Sequence, residues 1–425
     1  MKPSKDAFPV NDKTASPVCR CRACGAPLSE PFVNLGVSPL ANSFLCGDDL
    51  RMMEPFYPLR VHVCAGCFLV QTEDFESPHH IFSNYLYFSS FSQAWLDHAA
   101  RFADTMTARL GLDTRSLVVE VASNDGYLLQ YFVDRGIPVL GIEPATNVAE
   151  AARAKGVPSR DLFFGARTAA TLRDEGVAAD LMVANNVLAH VPDINDFVAG
   201  FPLVLQPTGT ITFEFPHLQH LIAEGQFDTI YHEHFSYLSL LALEPLFARH
   251  GLTVFDVERL PTHGGSLRVY VRHAADTRRL VSPAVEAVRQ DERTARLDRL
   301  ETYHAFAQKV VAAKCAVLRF LIEARAAGQR VVGYGAPAKG NTLLNYLGVG
   351  PELIAFTVDR SPHKQGLYLP GTRIPIKDPN EILAARPDFV LILPWNLKDE
   401  IMEQMAGIRA WGGRFVVPIP TLQVL

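Results

Sequence analysis

The rhythm of apolar and polar positions changes three times along the chain. Up to about residue 85 the apolar runs are short and broken by proline, as in "LGVSPLANSFL" and "EPFYPLRVHVC". Runs of this kind cannot build a large core by themselves. Next, "AWLDHAARFADTMTARLGL" carries a helical period that stops at Gly111. "SLVVEVASNDGYLLQYFVDRG" then predicts a buried strand at Leu117–Val121, a small polar turn at Ala122–Gly126 and an amphipathic helix ending near Gly136. "IPVLGIEP" predicts a second strand ending in Glu143. "AADLMVANNVLAHVPD" gives a strand running into Asn185, Asn186 and His190, and "GTITFEFP" a later one ending in Glu214. Strands alternating with helices predict a doubly wound α/β domain.

The third rhythm begins with "SPAVEAVRQDERTARLDRLETYHAFAQKVVAAKCAVLRFLIEARAAG". It predicts one or two connecting helices whose charges form a solvated face, with Cys315 as packing. After Gly328 an α/β pattern returns. "RVVGYGAPAKGNTLLNYLG" reads as a strand, a glycine-rich turn and a helix; later strands end at Asp359 and in "DFVLILPWN". The expected layout is a tail and N-terminal module over 1–85, a nucleotide-type α/β domain over 86–285, a helical connector over 286–325 and a smaller Rossmann-like α/β domain over 326–425.

At 425 residues the chain has room for these parts, and 48% hydrophobic with 20% charged residues is an ordinary soluble composition. A net charge of −5 gives no basic excess, which argues against a nucleic-acid partner or an anionic membrane surface. No apolar run reaches the ~20 residues that a membrane span needs. "MKPSKDAFPVNDKTASP" lacks an apolar signal segment and reads as a disordered tail. A cytoplasmic chain, sufficient as a monomer, is the simplest expectation. Its seven cysteines then need an explanation other than disulfides.

Four of them supply one. Cys21 and Cys24 form one C-x-x-C pair, and Cys64 and Cys67 form another. Two such knuckles close a tetrahedral four-thiolate zinc site, with Gly25 and Gly66 easing the tight backbone. Four protein thiolates leave the metal no open position, so the role is structural. Cys19 is the spare thiol; free thiols or a redox pair are the competing account.

The turn after the first central strand lacks G-x-G-x-x-G, which weighs against a dinucleotide. Ligands in such folds bind beyond the carboxyl ends of the strands, and a carboxylate placed like Glu143 commonly takes the hydroxyls of a ribose. "EVASNDGYLL", "GIEP" and "ANNVLAHVPD" together resemble the strand-end motifs of class I S-adenosylmethionine-dependent methyltransferases. The order of parts is more specific. A four-cysteine module and a methyltransferase domain precede "YHEHFSYLS", "THGGSLRVY" and "VVGYGAPAKGNTLLNY". "SPLANSFL", "YPLRVHVC" and "NYLYFSSFSQAWLDH" add to the likeness. Over roughly residues 19–425 the chain resembles the nucleotide-sugar C-methyltransferases that act on 4-keto-deoxyhexoses, including those that methylate C3 of tetronitrose. The resemblance implies S-adenosylmethionine held by Ala122, Ser123, Asn124, Gly126, Glu143, Asn185 and Asn186, and a nucleoside-diphosphate 4-keto-deoxysugar as substrate.

In "FDTIYHEHFSYLS", titratable groups are packed inside an apolar segment. Carbon methylation beside a ketone needs a base for the C–H, a stabiliser for the enolate oxygen and an aligned methyl donor. Histidine suits the base. Glu233 can fix its tautomer, and Tyr231 can donate to the ketone oxygen. The resemblance makes His234 the base, with Glu233 and Tyr231 beside it, and sets His190 beside the sugar. It also puts Tyr85 in the sugar pocket, where simple packing of Tyr85 and Tyr87 is the alternative. H-E-x-x-H is absent, which disfavours a zinc hydrolase. For His232 a core position is the simpler account, and for His190 the two accounts are balanced. In the C-terminal turn, Lys339 and Asn341 are expected to hold the nucleotide diphosphate, with backbone N–H groups cradling phosphate; a purely structural lid is the alternative. An oxygen-directed sugar methyltransferase and a non-catalytic zinc-bearing nucleotide-sugar binder remain open, as does an NAD role suggested by fold alone.

Overall fold

The computed structural model describes residues 19–75 and 88–425. The expected N-terminal tail, Tyr85 and Tyr87 lie outside these residues. The chain first forms strands β1 (Glu30–Ser38), β2 (Tyr57–Val63) and β3 (Val70–Thr72). Leu59, Val61 and Val63 are buried at alternate positions, the period that puts one strand face on a core. The helix Gln93–Leu110 follows. Ser92 caps its start by accepting from the Trp95 N–H, and left-handed Gly111 (φ 65°) ends it. Its buried residues Ala99, Phe102, Ala103 and Met106 sit at helical spacing.

Strands β4 (Val118–Val121), β5 (Val139–Ile142), β6 (Ser159–Arg160), β7 (Ala179–Asn185) and β8 (Leu205–Pro216) then alternate with helices. After them come β9 (Ser236–Tyr237), β10 (Leu252–Leu260) and β11 (Ser266–His273). The central sheet runs β10-β11-β8-β7-β4-β5-β6. Pairs from β8 to β6 are parallel, and β11 lies antiparallel to both β8 and β10. Strand order reverses between β4 and β7. That switch point opens a crevice at their carboxyl ends, where ligands of such sheets bind. The predicted strands are present. The helix expected up to Gly136 is only one regular turn, Gln130–Val133; around it the backbone tightens into bonds three residues apart, Tyr131 N–H to the Leu128 carbonyl and Gly136 N–H to the Val133 carbonyl.

The charged stretch forms two helices, Pro283–Thr294 and Leu300–Ala326. Glu292 departs from the expected solvated face. It is buried, accepts from His217 Nε2 at 2.7 Å, and accepts from the N–H groups of Leu240 and Leu241 at the start of the helix Leu240–Arg249. A helix start leaves N–H groups without partners, and a carboxylate satisfies them. Cys315, expected to pack, is exposed.

The last sheet comprises β12 (Val331–Tyr334), β13 (Thr357–Val358), β14 (Ile376–Lys377), β15 (Phe389–Ile392), β16 (Arg414–Val417) and β17 (Gln423–Val424), in the order β14-β13-β12-β15-β16-β17. It is parallel except for β17. Its own switch point lies between β12 and β15, so Gly335–Lys339 and Pro394–Asn396 flank its crevice.

The N-terminal sheet does not stand alone. Strand β9, contributed from the central part of the chain, pairs with β3. Phe32 stacks on Phe306 of the long helix at 4.5 Å, and Phe68 on Tyr303 at 6.1 Å. One apolar cluster therefore runs from β1 and β2 through the long helix into the C-terminal sheet. The shortage of core read from the first 85 residues is met by borrowing. No helix among the described residues is long and apolar enough to cross a membrane.

Candidate active site

The Sγ atoms of Cys21, Cys24, Cys64 and Cys67 lie within 4.8 Å of one another. The pairs Cys21–Cys67 and Cys24–Cys64 are each 3.5 Å apart, far beyond a disulfide bond of about 2.0 Å and close to the edge of a thiolate tetrahedron around zinc at about 2.3 Å. The residue after each C-x-x-C closes its knuckle in the left-handed region: Gly25 (φ 75°) and Phe68 (φ 58°). The glycine expected to ease the second knuckle, Gly66, is not left-handed; Phe68 takes that position and stacks its ring on Tyr303. Gln71 Nε2 donates to Cys21 Sγ, and the Gly66 N–H to Cys64 Sγ, as suits thiolates. This is a four-thiolate zinc site.

At the crevice after β4 the backbone is left-handed at Ala122 (φ 59°), Asn124 (φ 49°) and Gly126 (φ 76°), and after β7 at Asn186 (φ 53°). Non-glycine residues in this region are uncommon and gather where function fixes the backbone. Gly126 is required twice over, because a Cβ there would stand 2.9 Å from Val157. Glu143 is buried; one oxygen accepts from the Asn124 N–H at 3.0 Å and the other from the Ala145 N–H at 2.9 Å. Two lone-pair positions on that carboxylate remain for a diol. Asn185 and Asn186 each hold a buried Oδ1 with no hydrogen-bond partner among the described residues. Ser123 differs from expectation: its side chain points beneath the turn, with Oγ 2.5 Å from where a Cβ on Gly141 would stand. Its N–H donates to the Ile142 carbonyl and its carbonyl accepts from the Gly126 N–H. Sequence reasoning missed Glu120. It is fully buried on β4, its oxygens make no well-formed hydrogen bond among the described residues, and burial pushes it well up against the pull of the Tyr127 hydroxyl. A lone acid in an apolar strand directly before the turn was the available signal. Unsatisfied buried acceptors beside a positive-φ turn fit a ligand carrying an ammonium group and hydroxyls, as S-adenosylmethionine does.

The Tyr231–His234 segment is held by all three sheets. From the N-terminal side, Asn42 Nδ2 donates to both oxygens of Glu233, at 2.9 and 2.7 Å, and Thr72 Oγ1 donates to the His234 carbonyl. From the central domain, the Phe235 N–H donates to the Ala189 carbonyl and His190 Nδ1 to the Glu233 carbonyl at 2.8 Å. From the C-terminal domain, Thr342 Oγ1 donates to the Ile230 carbonyl and Trp395 Nε1 to Asp228 at 2.7 Å. His232 is a core histidine, donating Nε2 to the Pro58 carbonyl.

His234 donates Nδ1 to the Thr229 carbonyl at 2.8 Å. A carbonyl only accepts, so Nδ1 carries the proton and Nε2 keeps its lone pair. The tautomer is thus set by Thr229, where Glu233 was expected to act; the Glu233 carboxylate is engaged with Asn42 instead. Tyr231 lies against the His234 ring with centroids 3.9 Å apart, and His190 meets it edge-on at 4.6 Å. Burial, then the nearby His190, hold His234 well below the usual histidine range. Burial lowers His190 to about 4 and raises Glu233 to about 7. His190 and His234, whose rings meet at 4.6 Å, both keep accessible atoms and so line a recess, and Lys339 is partly exposed as well.

Lys339 approaches His234 from the C-terminal turn, and its charge bears on that ring. Its Nζ donates to Asn396 at 2.6 Å and lies 4.6 Å from the Trp395 ring centre. Asn341 does not face it. Two residues along a helix turn the side chain by about 200°, onto the opposite face. Asn341 is 1% exposed and donates to the Ala41 carbonyl at 2.6 Å, bracing the N-terminal module.

Residues 21–82 match a zinc binding domain family, residues 94–257 a methyltransferase domain family, and residues 261–420 the C-methyltransferase C-terminal domain family. The chain is 37% identical over 409 residues to the C-methyltransferase NovU of Streptomyces niveus, spanning 96% of this chain and 97% of that protein. It is 28% identical over 144 residues to a ubiquinone biosynthesis O-methyltransferase of Rhodopseudomonas palustris (strain BisA53), covering 29% of this chain and 56% of that protein. Among solved structures, a 1,6-didemethyltoxoflavin-N1-methyltransferase of Burkholderia thailandensis is similar at 19% identity and a TM-score of 0.34, over 48% of this chain and 95% of that one. The magnesium protoporphyrin IX methyltransferase of Synechocystis matches at 13% identity and a TM-score of 0.32, over 42% and 80%. With zinc module, methyltransferase domain and C-terminal domain all matched, and one relative aligned end to end, the chain belongs to the S-adenosylmethionine-dependent C-methyltransferases represented by NovU.

Proposed function

We propose that the protein methylates C3 of a nucleoside-diphosphate 4-keto-deoxysugar, with His234 as the base. The observation that carries this reading is the His234 imidazole. Its Nδ1 is committed to Thr229, its Nε2 makes no hydrogen bond among the described residues, and its ring meets that of His190 at 4.6 Å with atoms still accessible. Burial keeps it neutral and therefore ready to accept a proton. Protonating it becomes favourable when negative charge develops next to it, which ties proton transfer to enolate formation.

In this reading Tyr231, packed on His234, donates to the sugar oxygen, and His190 lines the sugar site. Glu233 acts through its carbonyl, which orients His190, and through its carboxylate, which binds Asn42. Ala122, Asn124, Gly126, Glu143, Asn185 and Asn186 hold S-adenosylmethionine, with Glu143 on the ribose. S-adenosylmethionine supplies an electrophilic methyl group and leaves as S-adenosylhomocysteine. Lys339 meets the substrate from the C-terminal turn.

The test is exchange at C3. The enzyme is incubated in D2O with a 4-keto-6-deoxy nucleotide sugar and S-adenosylhomocysteine, and the C3 proton is followed by NMR. Washout that His234→Asn abolishes, with the variant still folded, is the expected result. No washout with the sugar nucleotide bound would move the assignment to oxygen methylation.

A further inference from the structure

The Thr-His-Gly-Gly turn between β10 and β11 was prominent in the sequence yet has no role so far. His263 sits there at φ 56° and ψ 21°, in the left-handed region. The two glycines that follow it are closely walled. A Cβ on Gly264 would stand 2.8 Å from the Trp395 ring, and one on Gly265 would stand 2.7 Å from the His220 ring. Thr262 Oγ1 donates to Glu214 at 3.1 Å, and Gln226 Nε2 donates to the Gly264 carbonyl at 2.8 Å. Backbone strain held in this way gathers at ligand clamps and active sites.

The strain presents an imidazole. Trp95 meets it edge-on at 5.2 Å, and the ring stays accessible. His190, His232 and His234 each spend one nitrogen on a carbonyl. Neither nitrogen of His263 makes a hydrogen bond among the described residues, which leaves one donor and one acceptor for a ligand. Lys339 comes close to His263 through Trp395: its Nζ lies 4.6 Å from the Trp395 ring centre, and a Cβ on Gly264 would stand 2.8 Å from the same ring; the charges of both groups also bear on His234. Asn396 takes one of the three Lys339 donors. Trp395 ties the group together. Its ring lies against Gly264 and under the Lys339 ammonium, and its N–H holds Asp228, six residues before His234.

We propose that His263 is a catalytic residue and that, with Lys339, it receives the C4 oxygen of the substrate as negative charge develops there. The inference rests on the carbanion reading above. As the C3–H bond breaks, its proton goes to His234 Nε2 and its electron pair forms the C3–C4 double bond. The carbonyl π pair moves onto the C4 oxygen. The His263 N–H and one Lys339 N–H donate to that oxygen, and no oxidant or reductant is needed. Carbon C4 adjoins the carbon that His234 deprotonates, so donors for its oxygen must lie near the base, and the charges of these two bear on it.

The experiment compares full-length wild type, His263→Asn and Lys339→Gln; asparagine tolerates the left-handed backbone. C3 exchange in D2O is measured with saturating dTDP-4-keto-6-deoxyglucose (or its CDP or GDP counterpart, whichever the wild type binds) and S-adenosylhomocysteine. Affinity for the free nucleoside diphosphate, affinity for S-adenosylhomocysteine and the melting curve are measured alongside. Each variant is expected to exchange about 10²-fold more slowly at saturation, with nucleoside-diphosphate affinity within about threefold of wild type. Unchanged exchange at saturation overturns the proposal. With a tenfold loss of nucleoside-diphosphate affinity it would assign the pair to the diphosphate, and with no loss it would assign it to packing. If His263→Asn unfolds, His263→Gln and Lys339→Gln decide. Absence of exchange in the wild type would overturn the carbanion reading itself, and this inference with it.

Discussion

Trp395 donates its indole N–H to Asp228 at 2.7 Å, joining the C-terminal sheet to the segment that carries His234. Asp228 is fully buried, and its other oxygen has no partner among the described residues. Burial raises its pKa to about 6, against the pull of Lys339 and the indole. Trp395→Phe keeps the ring and removes the donor. Stability should fall by about 1–3 kcal/mol at pH 8, read as the denaturant midpoint. The sign with pH follows from the indole's preference for the charged carboxylate: the unfolded state is common to both proteins, so the gap is largest where native Asp228 is ionised, above about pH 6, and shrinks as pH falls through about 6 and the native carboxyl takes its proton. The gap between variant and wild type should therefore narrow at pH 4.5.

The zinc site is far from open chemistry, yet its loss should reach the active site. Asn42 and Thr72, which belong to the zinc-stapled module, hold Glu233 and the His234 carbonyl. Released metal, measured with a colorimetric chelator after thiol modification, should amount to one zinc per chain. Cys64→Ser should lower the melting temperature and reduce turnover together, because folding energy from the metal supports this module. Full activity in a zinc-free, folded protein would contradict the coupling.

Glu143 offers a sharper test of the cofactor crevice. Its two oxygens already accept from Asn124 and Ala145 N–H groups. Glu143→Gln can keep only one of those acceptors and loses charge-assisted bonds to a diol. Affinity for S-adenosylhomocysteine should fall about 10- to 100-fold by calorimetry, equivalent to about 1.4–2.8 kcal/mol. Affinity for the free nucleoside diphosphate should stay within error.

Much of this was legible in the chain. The cysteine spacing gave the metal site, because thiolate geometry is local. The strands of both α/β sheets were readable, because parallel strands buried on both faces appear as apolar runs such as "LVVEV" and "DFVLIL". The borrowing of β9 by the N-terminal sheet was not readable: a two-residue strand carries no period, and its partner β3 lies more than 160 residues earlier. The orientation of His234 by Thr229 was hidden for a related reason. A backbone carbonyl acts whatever its side chain, so sequence pointed to the neighbouring Glu233. His263 was visible only as part of a quoted motif. Its strained backbone and free nitrogens are properties of the fold.

The pH profile of kcat/KM tests the base. His234 is lowered by burial first, then by His190, with His263 and Lys339 adding to the effect and the Thr229 carbonyl opposing it. Its proton is therefore taken up only below the ordinary histidine value, and activity should persist as pH falls through 6.5. Glu233, near 7, and Asp228, near 6, also titrate in this window. Any inflection near 7 should vanish in Glu233→Gln, which assigns it to the carboxyl group. Lys339→Met removes a positive charge that bears on His234, so the acidic limb should move to higher pH while the rate falls. An acidic limb at or above 6.5 that survives in Glu233→Gln and stays put in Lys339→Met would mean that the titrating base is not the His234 imidazole.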